Sequence, residues 1–101
     1  MPSYEISPLA LDDLLDIQEF ISRDHPTAAE HLIDNFFAAF DRLAEWPSTG
    51  HSRIDLTRRD VLFWPVGSYL IIYRENRNLA EIQIVSVLHA ARDLLSILPN
   101  R

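Results

Sequence analysis

At Gly50 the apolar residues of this chain change their period from helical to extended. Before it, Ala29, Leu32, Ile33, Phe36, Phe37, Phe40, Leu43 and Ala44 recur at the three- and four-residue spacing of a wide helical stripe. After it, "VLFW" (Val61 to Trp64), "YLIIYR" (Tyr69 to Arg74) and "EIQIVSVLH" (Glu81 to His89) are rich in β-branched and aromatic residues and are set apart by turn-forming segments. A helical stripe and the apolar face of a sheet each need a partner to bury against. Together they define a two-layer α+β arrangement.

The flanking residues assign the elements. "SYEIS" (Ser3 to Ser7) alternates as a short first strand, and Ser7-Pro8 offers an N-cap hydroxyl followed by a proline where its missing N–H costs nothing. A first helix follows, with Ala10, Leu11, Leu14, Ile17, Phe20 and Ile21 apolar and Asp12, Asp13, Asp16 and Glu19 on the remaining face, the early acids complementing the helix dipole. Pro26 is expected to end it, and Thr27-Ala28-Ala29-Glu30 has the form of a capping box that opens a second helix. So short a connection predicts an antiparallel helical hairpin. "WPSTG" stops the second helix, "PVGS" and "ENRN" supply turns of an antiparallel meander, and "RIDL" (Arg53 to Leu56) is a candidate edge strand. A last helix is expected over Ala90 to Leu98, packing Leu94 and Ile97. The expected fold is an antiparallel sheet packed by an N-terminal helical hairpin, in the order β-α-α-β-β-β-α, within a single domain of residues 1–101.

Composition narrows the functional classes. Residues 1–50 carry ten acidic side chains against Arg23 and Arg42, a formal −8, and residues 51–101 carry five against seven arginines, a formal +2, which gives the net −6. Lysine is absent. Affinity for nucleic-acid phosphates comes largely from counterion release by Lys and Arg, so a chain of this balance is not expected to bind nucleic acid sequence-specifically by itself. There is no cysteine, and His25, His31 and His51 lack metal-ligand spacing, so neither a metal nor another cofactor is expected. The opening residues have no basic leader and no apolar window is long enough to cross a bilayer, which points to a cytoplasmic protein without membrane attachment.

"WPVGSYLIIYR" followed by "AEIQIVSVLHAARDL" resembles the ParE toxins of the RelE/ParE superfamily, the toxin halves of bacterial type II toxin-antitoxin pairs. Ala10, Asp13 and Leu14 match that family's Ala-x-x-Asp-Leu pattern; Leu43, Pro47 and Gly50 match its Leu-x-x-x-Pro-x-x-Gly, and Arg53 its nearby arginine. Leu62 and Ser68 depart from it, standing where arginine is frequent. The resemblance implies a RelE/ParE-like fold and a toxin silenced by a ParD-like antitoxin that has a ribbon-helix-helix DNA-binding half and a C-terminal segment wrapping the hairpin and sheet. It implies DNA gyrase as the target. Two alternatives stay open: a RelE-type endoribonuclease cleaving mRNA on the ribosome, and a decayed, non-toxic relative that still binds antitoxin.

"VLHAARD" (Val87 to Asp93) carries the candidate chemistry. A ribonuclease needs a base for the 2′-OH, an acid for the leaving oxygen and cations for the phosphate, and arginine, always protonated, supplies only the last. His89 is the best proton carrier, with Tyr69, Tyr73, Glu75 and Glu81 behind it; Arg59, Arg74 and Arg92 are the candidate cations. Arg59, Arg74, His89 and Arg92 are equally the candidate target-binding residues of a non-enzymatic toxin. With clean alternation, Glu81, Gln83, Val85, Val87 and His89 share one strand face. The competing reading makes His89 and Asp93 capping residues at a strand-to-helix junction. Leu11, Leu15 and Phe37, on the hairpin, and Tyr73, on the sheet, are the candidate antitoxin contacts.

Overall fold

The computed structural model describes residues 3–53, 60–76 and 81–93. Strand β1 (Ser3–Ile6) leads into helix α1 (Pro8–Ser22), then α2 (Pro26–Glu45), a single 3-10 turn (Pro47–Thr49), strands β2 (Leu62–Val66), β3 (Tyr69–Asn76) and β4 (Glu81–His89), and the short helix α3 (Ala90–Asp93). The α+β order is the expected one. The expected ends of the last helix (Leu94 to Leu98) and of the "RIDL" edge strand (Ile54 to Leu56) lie outside the described residues, as does Arg59.

β2, β3 and β4 form the antiparallel meander, and β1 joins it alongside β4 in parallel, so the sheet is mixed, in the order β1-β4-β3-β2. Parallel strands need a long connection between them, and the helical hairpin is part of the one between β1 and β4. β2 is an edge strand, which lets Pro65 sit within it without breaking a central ladder. Gly67, with φ of 57°, makes the tight reversal into β3.

Helix α1 begins as its sequence predicts: the Ser7 hydroxyl accepts from the Ala10 N–H at 3.0 Å, with Pro8 at the first position. The second helix does not. α1 stops at Ser22, and Pro26, instead of terminating it, is the first residue of α2; His25 is the N-cap and makes no side-chain cap bond. Proline at the first helical position needs no donor, so the Thr27–Glu30 capping box is displaced into the first turn.

One face of the sheet lies under the helices. Ala10, Leu14 and Ile17 of α1 and Phe36, Phe40 and Leu43 of α2 pack on Ile71, Tyr73, Ile82, Ile84 and Val87. Each large side chain withdrawn from water here contributes about 1.5–3 kcal/mol. Phe63 and Ile72 form a smaller cluster with Val61, Leu70, Val85 and Leu88.

The alternation of β4 is broken once. Ile72 pairs with Ser86 but Tyr73 pairs with Ile84, leaving Val85 as an extra residue. Ile82 and Ile84 face the helices before the bulge and Val87 faces them after it, while Val85 joins the smaller cluster. The expectation that Glu81, Gln83, Val85, Val87 and His89 share a face is therefore corrected: the bulge turns Val87 and His89 to the helix side and leaves the first three on the other.

Candidate functional site

The bulged stretch of β4 is held by the start of α1. β1 ends opposite Ile84, so beyond it that edge of β4 has no strand beside it. The Ser7 N–H donates to the Ile84 carbonyl at 3.0 Å and the Ser7 hydroxyl to the Val85 carbonyl at 2.8 Å. Asp13 Oδ2 accepts from the Ser86 hydroxyl at 2.8 Å and from the Val87 N–H at 2.9 Å. Backbone groups that the ladder abandons are thereby satisfied by two side chains of the helix start. Asp13 was placed by the sequence on the solvated face of α1. The signal for its role is Ser86, a polar residue inside the apolar run Ile84 to Leu88.

Past the bulge, β4 runs into α3 through His89. Its Nδ1 accepts from the Arg92 N–H at 3.1 Å, and the His89 N–H donates to Asp93 Oδ2 at 3.1 Å, a reciprocal closure of the helix start. The ring also stands edge-on against Tyr69, centroids 5.3 Å apart. Arg92 is bound to Asp93 through two guanidinium contacts, of 3.0 and 3.1 Å. The Arg92 hydrogen bond holds the Asp93 carboxyl below its ordinary range, with the His89 N–H acting in the same direction against the opposing effect of burial.

A second tie joins the two layers. The Tyr73 hydroxyl donates to the Pro47 carbonyl at 2.6 Å and accepts from the Gly50 N–H at 2.8 Å. Burial raises its pKa, partly offset by the Gly50 bond. A side chain at position 50 would collide with the tyrosine ring, its Cβ falling 2.7 Å from Cε1. Pro47, Gly50 and Tyr73 thus form one clamp on the chain between the hairpin and the sheet.

Of the predicted site residues that are described, His89 and Arg92 are brought together at the start of α3 and Arg74 is set apart from them. Arg74 points away from the helices, where its Nε donates to Gln83 at 2.9 Å, and Gln83 donates in turn to Glu5 at 2.9 Å. Arg92 and His89 lie past the bulge, beside α1. Arg74, next in β3 to the helix-facing Tyr73, and Arg92, in the groove beside α1, therefore lie on different sides of the sheet. Tyr73 is fully buried, which removes it as an antitoxin contact. Leu11, Leu15 and Phe37 are exposed, at 49%, 55% and 37%. No group of three or more His, Asp or Glu among the described residues is placed to hold a metal ion, and no helix there is long and apolar enough to cross a membrane.

Fold and site define a small two-layer α+β protein with an exposed acidic helical hairpin and a strand end tied down by capping bonds. Residues 4–94 match the family described as ParE toxin of type II toxin-antitoxin system, parDE. The chain belongs to that family. It is 38% identical over 82 residues to the inferred toxin Y4kP of Sinorhizobium fredii (strain NBRC 101917 / NGR234), covering 80% of each protein. Its fold is similar to that of a solved chain of the chromosomal ParDE TA system from P. aeruginosa, with a TM-score of 0.73 over 88% of this chain and 96% of that one, at 18% identity.

Proposed function

We propose that this chain is a cytoplasmic, single-domain binding toxin that inhibits DNA gyrase and is neutralised by a ParD-like antitoxin with a ribbon-helix-helix DNA-binding half. The observation that carries the reading is the state of the groups a ribonuclease would use. His89 Nδ1 is occupied by the Arg92 N–H, Arg92 is bound to Asp93, Arg74 to Gln83 on the other side of the sheet, and the Tyr73 hydroxyl is held between Pro47 and Gly50. Acid–base catalysis requires a donor and an acceptor within reach of one substrate bond, with cations beside it. Each of these groups already has a partner within the chain. Gyrase is the target that membership among ParE toxins favours, and inhibition by binding needs no such constellation.

Leu11, Leu15 and Phe37 are the antitoxin contacts in this reading, because exposed large apolar side chains on a short hairpin are what a wrapping segment covers. His89 and Arg92, at the strand end, are the described residues assigned to target contact.

Expression of the chain without its antitoxin tests the function. Loss of plasmid supercoiling or DNA breakage with intact messages is the expected result. Cleavage of ribosome-bound messages, abolished by His89→Ala, would replace this reading with the endoribonuclease. Unimpaired growth and unchanged DNA topology at high expression would leave a decayed relative.

A further inference from the structure

Two flanks of α1 lie outside the core. Leu11 and Leu15 occupy one. On the other, Leu9, Asp13, Asp16 and Phe20 follow at intervals of four, three and four residues, which aligns them along the helix. Leu9 is 58% and Phe20 60% exposed. Phe20 forms the lip of a groove of about 370 Å³ between α1 and the end of β4, floored by Ile17, Tyr69 and Val87.

The groove's charge is unbalanced. Arg23 and Arg92 border it, but Arg23 is paired with Glu19 at 3.1 Å and Arg92 with Asp93 at 3.0 Å. Asp13 accepts only from neutral donors, and Asp16 has no hydrogen-bond or ion-pair partner among the described residues. Among the described residues, two negative charges are left over an apolar floor. The surroundings add to them: residues 8–45 hold nine acidic side chains against Arg23 and Arg42, a formal −7. An acidic segment would be repelled, and so would a second copy of this chain, with its net −6.

We propose that this groove receives a cationic, amphipathic segment of the antitoxin, one apolar side chain packing against Phe20 and an adjacent Lys or Arg meeting Asp16. The proposal rests on the toxin-antitoxin reading and adds to it the chemistry of the partner: the neutralising segment carries net positive charge.

The probe is the protein encoded beside this chain's gene, purified and titrated against the full chain at low and high salt. Asp16→Arg and Phe20→Ala are each expected to weaken binding about tenfold or more, as truncation at the centre of an interface does. Added salt weakens the wild-type complex by screening the charges, while Glu45→Lys, at the far end of α2, changes affinity little. Both α1 residues are exposed, and circular dichroism with the milder Asp16→Asn verifies the fold. Tight binding that is indifferent to salt and to all three α1 variants would overturn the proposal and leave the antitoxin reading standing. A protease-protected segment of net negative charge would do the same. Failure of that protein to bind the folded chain would remove the antitoxin reading and this proposal with it.

Discussion

Tyr73, in a strand, ties down the proline and the glycine that follow a helix more than twenty residues earlier. Its hydroxyl donates to one and accepts from the other inside a closed core. Tyr73→Phe leaves the Gly50 N–H and the Pro47 carbonyl without a partner and is expected to cost about 1–3 kcal/mol. Gly50→Ala forces the tyrosine ring aside and is expected to cost a similar amount, about 1–3 kcal/mol, by overpacking. Urea unfolding monitored by tryptophan fluorescence measures both; midpoints equal to wild type would show the clamp to be energetically idle. The raised pKa of Tyr73 also fixes a sign. A hydroxyl held protonated by folding contributes stability that is intact below the ordinary tyrosine pKa of about 10 and is lost as pH rises through the higher folded value. Tyrosinate absorbance should therefore appear at Tyr73 late in an alkaline titration, and Tyr73→Phe should remove that late component.

The elements were largely legible, because long periodic stripes and strand-rich runs report directly on burial. Pro26 is ambiguous in sequence because a proline ends one helix or begins another by the same local geometry, and only the fold decides which. The bulge in β4 was invisible for a different reason. Val85, Ser86 and Val87 fit an alternating strand by composition, and the extra residue is revealed only by pairing with β3 and by what α1 does with the freed groups. Asp13→Ala strips the partner from the Val87 N–H and the Ser86 hydroxyl, and should destabilise the protein by about 2 kcal/mol, which for a chain of this size lowers Tm by roughly 8–16 °C. Ser7→Ala, losing both the helix cap and the bond to the Val85 carbonyl, should cost about 1–2 kcal/mol. If Asp13 acts through Ser86, Asp13→Ala and Ser86→Ala in combination will cost less than their sum. Additive losses would separate the two residues.

On the scale of the whole molecule, charge and geometry point the same way. A lysine-free chain of net −6, whose hairpin is its most acidic part, is poorly suited to docking among phosphates, and Arg74 and Arg92 lie on different sides of the sheet. The candidate site was the least legible feature, since spacing along a strand cannot show that a bulge in β4 turns His89 to the face opposite Gln83, the residue that Arg74 joins. What survives of it is the junction "VLHAARD", which reads as the tied end of a strand, with His89 and Asp93 closing a helix start. Purified chain should leave duplex DNA unretarded at physiological salt, and a shifted complex would contradict the charge argument. The most direct measurement is a supercoiling reaction of purified gyrase titrated with the purified chain, run beside ribosomes carrying a defined message. Dose-dependent loss of supercoiling with the message intact is the predicted result; undisturbed gyrase together with a cleaved message would contradict it.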